Sequence, residues 1–253
     1  MSQGDIQPLR LESAGTATTL AATAFDRPVH LSSRSPGVWE GLLGVDVVQK
    51  AGTYPVVVTV TRADGTTASA QATVAVTARH FTTRKLSVDA RFVEPNPADT
   101  ARIAAEADRL AAIWKAVSDR HWHGPFTAPV AGPATSNFGS RSIFNGQPRA
   151  PHAGIDYRGA VGTPIVAPNA GRVVLAEDLF LTGNTVVVDH GLGLYSLFAH
   201  MSRLDVKAGD DVSTGTPVGL VGATGRVTGP HLHWSVRLGA ARVDPASLFR
   251  LGL

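Results

Sequence analysis

Gly229-Pro230-His231-Leu232-His233-Trp234-Ser235-Val236, near the C-terminal end of 253 residues, has strand character and two histidines two apart. Alternate positions of a strand share one face of a sheet, so both imidazoles point to the same side. Imidazole is the commonest protein ligand for a transition metal and the commonest acid or base near neutral pH. A His-x-His by itself is weak evidence, and its meaning depends on partners elsewhere in the chain.

Working outward, the chain after Phe126 reads as strands and glycine-rich turns: 163–167, 171–176, 184–188, 194–199, 218–221 and 232–238. Pro and Gly recur between them, which predicts a curved, largely antiparallel β domain over 126–253. Gly162 to Pro168 and Gly215 to Val221 look alike, both turn-then-strand units. In this domain His152-Ala153-Gly154-Ile155-Asp156 places an imidazole and a carboxylate four apart, in a loop running into a strand, where Gly154 would let the backbone bend. His200 closes the β-patterned run Leu194 to His200. A catalytic zinc commonly takes three N or O ligands and keeps a position for water. His152, Asp156, His200, His231 and His233 exceed three by two, leaving two histidines for acid–base work. His190, at a strand end before a turn, reads as structural.

The rest narrows the class. With 43% hydrophobic and 17% charged residues the chain belongs with globular proteins, and a net charge of +3 without a basic cluster gives no support for nucleic-acid binding. The absence of cysteine removes thiolate zinc sites, thiol nucleophiles and disulfides. Apolar runs such as Pro55 to Val60 are too short to span a bilayer. The start shows no signal peptide, so the expectation is either a cytosolic protein or a mature chain whose export signal has been replaced.

Residues 1–79 are Val/Thr-rich and turn-punctuated, with Asp64-Gly65 a hairpin signal. They predict a small β-sandwich of immunoglobulin-like kind. His30 there reads as a surface or edge residue. Residues 80–125 read as a linker, with a possible extended stretch from Arg84 to Phe92, and a helix over about 97–119. Asn96 caps that helix, Pro97 opens it, and Ile103, Ala107, Leu110, Trp114 and Val117 form its packing stripe. A second His-x-His, His121 and His123, leaves the helix beside Gly-Pro with no carboxylate near.

Taken together, Pro129 to Leu248 resembles the lysostaphin/LytM-type zinc metallopeptidases, many of which cut peptidoglycan cross-bridges. The resemblance rests on His152-x-x-x-Asp156, Ala199-His200 and His231-Leu232-His233. It extends to Ser136 through Arg141, Gly171 through Val174, Val206 through Asp210 and Gly222 through Gly225. It implies a single zinc ion on His152, Asp156 and His233, with His200 and His231 unligated beside it as catalytic residues, and peptidoglycan peptide as substrate in the periplasm or cell envelope. Arg141 and Arg149 are candidates for substrate carboxylates, although solvated surface arginines are the blander reading. Other readings stay open: a non-catalytic relative that activates another wall hydrolase, a latent enzyme covered by its N-terminal region, or a biotinyl/lipoyl-type carrier barrel around Lys207.

Overall fold

The computed structural model describes residues 1–13, 17–135 and 138–251; Ser136 and Asn137, from the run quoted above, lie outside them. The chain is mainly β. Its first strands are β1 (Ile6–Glu12), β2 (Ala17–Ala24), β3 (Arg27–Val29), β4 (Leu31–Ser35), β5 (Val38–Gly44), β6 (Gly52–Arg62) and β7 (Thr67–Val76). They are followed by β8 (Thr83–Leu86), helix α1 (Pro97–Lys115), β9 (Arg141–Phe144), β10 (Gln147–Pro148), β11 (Gly154–Arg158), β12 (Pro164–Val166) and β13 (Gly171–Leu179). The last are β14 (Gly183–Gly191), β15 (Leu194–Leu204), β16 (Asp211–Val212), β17 (Pro217–Val221), β18 (His231–Leu238) and β19 (Ala241–Val243).

The Asp64-Gly65 hairpin joins β6 to β7. Gly65 has φ +80°, its N–H donates to Arg62 O at 2.9 Å, and Asp64 Oδ1 accepts from the Thr66 N–H at 2.9 Å. A turn residue that needs positive φ favours glycine, and an Asp before it ties down the backbone two residues on. Two sheets, β1-β5-β4 and β3-β2-β6-β7, enclose a small core of Ala24, Phe25, Leu43, Val45, Val56 and Val76. The layering is that of a small sandwich, but the strand order is not the immunoglobulin one. There the third strand crosses to the opposite sheet from the second. Here a two-residue turn at Phe25 and Asp26, both at positive φ (54° and 57°), keeps β3 beside β2.

Helix α1 begins where the sequence predicts, with Asn96 Oδ1 accepting from the Asp99 N–H at 2.8 Å. It ends at Lys115 rather than near 119. The following backbone finds other partners: Ala116 O accepts from the Tyr195 hydroxyl at 2.7 Å, and Ser118 O from the Leu192 N–H at 2.9 Å. Leu110, Ile113 and Trp114 pack on a cluster of Leu175, Leu179, Val187, Tyr195, Leu197 and Ala199, whereas Val117, the last of the expected stripe, is exposed.

The nine-stranded sheet runs β11-β18-β15-β14-β13-β16, with β12, β17 and β19 attached. The two look-alike segments pair with each other through β12 and β17, Pro164 opposite Leu220. In β18, Leu232, Trp234 and Val236 are fully buried in the larger core, and Trp234 Nε1–H donates to Ser196 Oγ at 3.1 Å. Truncating a buried tryptophan costs about 3–5 kcal/mol. A slip of one residue would exchange that face for the one bearing His231 and His233, so burial of these side chains sets the site's register.

The N-terminal sheets are fastened to this body. Ile6, Leu42 and Val47 join the larger core, Arg242 pairs with Asp46 at 2.7 Å, and Arg79 with Asp244 at 2.7 Å. The expected extended stretch shortens to β8, which lies parallel to β9 in a small β10-β9-β8 sheet.

Candidate metal centre and groove

Three neighbouring strands deliver the polar cluster. Asp156 of β11 lies directly opposite His233 of β18, and His233 opposite Ala199 of β15. His152 arrives from the loop before β11; its N–H donates to Ser140 O at 2.9 Å and its carbonyl accepts from the Gly139 N–H at 2.8 Å. His152 Nε2 then lies 3.1 Å from Asp156 Oδ1 and 2.9 Å from His233 Nδ1, which is 3.0 Å from the same Asp156 oxygen. These three side chains offer ligand atoms within 4.8 Å of one another and could hold a metal ion.

Gly154 serves this approach differently from the expectation. It is already strand β11, with no positive φ, so it does not bend the chain. A Cβ there would run into Trp234 O and lie 2.9 Å from His233 Cε1. Glycine is needed because the Trp234 carbonyl, and then the His233 ring, pass so close to this position.

Burial works against an ionised Asp156, yet hydrogen bonds from His152 and His233 and their charges outweigh it and hold the carboxyl well below the usual range. Burial also depresses His233, against the pull of Asp156.

His200 and His231 stand beside this cluster, ring centres 4.9 Å apart, with His200 6.0 Å from His233. His200 Nδ1 is 2.8 Å from Thr224 O, and His231 Nδ1 is 2.8 Å from Gly229 O. A carbonyl only accepts, so each Nδ1 is assigned the proton and each Nε2 keeps its lone pair. His231 Nε2 lies 3.8 Å from Asp156 Oδ1. His200 has φ +66°, a conformation that costs a non-glycine residue of order 1–3 kcal/mol and concentrates at functional sites. Its N–H is held by Thr182 O at 2.7 Å. Burial, reinforced by His233 and His231, pushes its pKa down to about 3.

All five expected residues line one groove of about 430 Å³. Arg149 lines it too, its Nη2 donating to Val93 O at 3.1 Å and Gln147 Oε1 at 3.0 Å. Arg141 does not; it is exposed at the start of β9. Sequence reasoning missed two arginines in the lining, Arg84 on β8 and Arg226. Arg226 directly follows the recognised Gly222 to Gly225 run, so its place five residues before His231 was a usable signal. The remaining histidines lie elsewhere. His190 is fully buried, its ring between Ala170 O at 2.7 Å and Ser196 Oγ at 2.9 Å, and burial lowers it to about 4. The His121 and His123 backbone N–H groups donate to His190 O and Asn169 Oδ1, and neither residue lines the groove.

The fold and this cluster define a peptidase class. A model of peptidase family M23 matches residues 150–245. A crystal structure of a Pseudomonas aeruginosa protein, described as an M23 peptidase, superposes on 98% of this chain and 94% of its own, with a TM-score of 0.75 and 33% identity. The chain belongs to peptidase family M23. Among curated proteins, the peptidoglycan DD-endopeptidase ShyA of Vibrio cholerae is 42% identical over 103 residues, 40% of this chain and 24% of that one. The DD-carboxypeptidase/endopeptidase Mpg of Neisseria meningitidis is 39% identical over 97 residues, 38% of this chain and 22% of its own. Each match therefore spans about a quarter of the relative's length.

Proposed function

We propose that the chain is a zinc metalloendopeptidase that hydrolyses peptide bonds in peptidoglycan cross-links or stem peptides, in the cell envelope. The observation that carries this reading is the convergence of His152 Nε2, Asp156 Oδ1 and His233 Nδ1 beside two histidines with free Nε2 lone pairs. Three donors 2.9–3.1 Å apart approach the ~3.4 Å edge of a tetrahedral ion with ~2.1 Å bonds, and two imidazoles with one carboxylate are a zinc-type ligand set. The donor chemistry fits the ion. A zinc ion held there supplies Lewis acidity and makes water nucleophilic near neutral pH.

The protein's own side chains do the rest. His200 and His231 face the reacting centre with Nε2; one takes the proton released by water, and the other, when protonated, donates to the oxyanion of the peptide carbonyl. Thr224 O and Gly229 O hold their rings in that tautomer. The curated relatives are named for peptidoglycan, which supports a wall peptide as substrate. Residues 126–253 form the catalytic unit in this reading, and 1–79 with 80–125 flank it. Release of peptide from purified peptidoglycan, abolished by a chelator and restored by zinc, tests it; no release with zinc bound would reject it.

A further inference from the structure

We propose that Arg149 and Arg226 form a carboxylate-binding subsite on the groove wall, so that the peptide taken beside His152, Asp156 and His233 carries a free carboxylate near the scissile bond. The inference deepens the peptidase reading and rests on it.

The charges in the groove are unbalanced. Arg149 and Arg226 line it beside a single lining carboxylate, Asp156, which is already shared by His152 and His233. Arg226 is half-buried, its guanidinium 4.9 Å over the Phe144 ring. Among the described residues that guanidinium has neither a hydrogen bond nor an ion pair. Burial and the nearby charge of Arg149 lower its pKa. A partly desolvated cation facing a like charge is costly, and this one has no counter-ion among the described residues.

Arg149 is fixed in place by its bonds to Val93 O and Gln147 Oε1, and its Nε is buried without an acceptor. Among the described residues neither arginine is paired with an acid. A guanidinium held over an aromatic ring still has N–H groups to offer a planar, two-oxygen acceptor. A carboxylate has that shape and the missing charge. It can come from a side chain of the wall peptide or from its C-terminus.

The test uses the full chain, zinc-loaded, with fluorescent wall-type peptides in three forms: both carboxylates free, only the side-chain carboxylate amidated, or only the terminal one amidated. Binding is read by anisotropy and cleavage by mass spectrometry, for the natural protein, Arg226→Gln and Arg149→Gln. The natural protein binds the fully acidic peptide roughly ten- to hundredfold more tightly than one of the two amides, which identifies the carboxylate read. Either substitution brings that ratio towards one. A ratio of one in the natural protein, no binding of any form, or a ratio preserved in both variants overturns the subsite. If acid-selective, Arg226-dependent binding occurs without cleavage, the peptidase reading fails and the subsite stands. Cleavage of all three forms with equal binding removes the subsite alone.

Discussion

Asp156 and His233 sit directly opposite each other on β11 and β18, with His233 Nδ1 3.0 Å from Asp156 Oδ1. The pairing comes from backbone register, so the two side chains meet through the fold rather than through loop flexibility. His152 completes the cluster from the segment just before β11.

His233→Ala or Asp156→Ala is expected to lower bound zinc from about one per chain to near none, because metal affinity is the sum of its preorganised ligands. Elemental analysis after dialysis checks it. Full zinc in both variants would remove these residues from the ligand set.

His200→Ala and His231→Ala should keep zinc and lose roughly 10²–10⁴-fold in turnover, the usual contribution of a positioned acid or base. Turnover within a fewfold of the natural protein would take that histidine out of the mechanism.

Gly154→Ala should damage the site while leaving every proposed ligand residue unsubstituted. The added methyl meets Trp234 O and the His233 ring, and overpacking of this kind costs about 1–3 kcal/mol. A lowered Tm together with weakened zinc binding is the expected result; an unchanged Tm would mean the strands accommodate a side chain there.

His190 supplies a pH-dependent stability change away from the metal cluster. Its folded pKa is pushed from 6.5 down to about 4 by burial. Above pH 6.5 it is neutral in both folded and unfolded chains and contributes nothing. Between about 6.5 and about 4 the unfolded chain holds the extra proton, so stability falls with acidification, by about 3 kcal/mol in all. His190→Gln removes this loss. Urea midpoints from pH 7.5 to 4.5 should fall more steeply for the natural protein than for the variant; parallel slopes would contradict it.

What the sequence made legible follows from local physics. The alternation in His231 to Val236 fixed the faces of β18, Asp64-Gly65 marked a hairpin, and Asn96 marked the start of α1. The end of α1 was not legible because Tyr195 and Leu192, distant in sequence, capture the carbonyls at 116 and 118. The N-terminal strand order escaped for a similar reason: the turn at Phe25-Asp26 uses positive φ without glycine. The five histidine and aspartate positions of the site stood out as residue types. The tautomers of His200 and His231 did not, since they depend on the carbonyls of Thr224 and Gly229. Arg226 had a signal in its place after Gly222 to Gly225, but the Phe144 ring beneath it comes from β9, distant in sequence.

The most direct test of the central claim is mass spectrometry of the fragments that the zinc-loaded protein releases from purified peptidoglycan, with His231→Ala as control. The account predicts new amino and carboxyl ends at a peptide bond, absent from the control; new sugar ends, or intact peptide throughout, would contradict it.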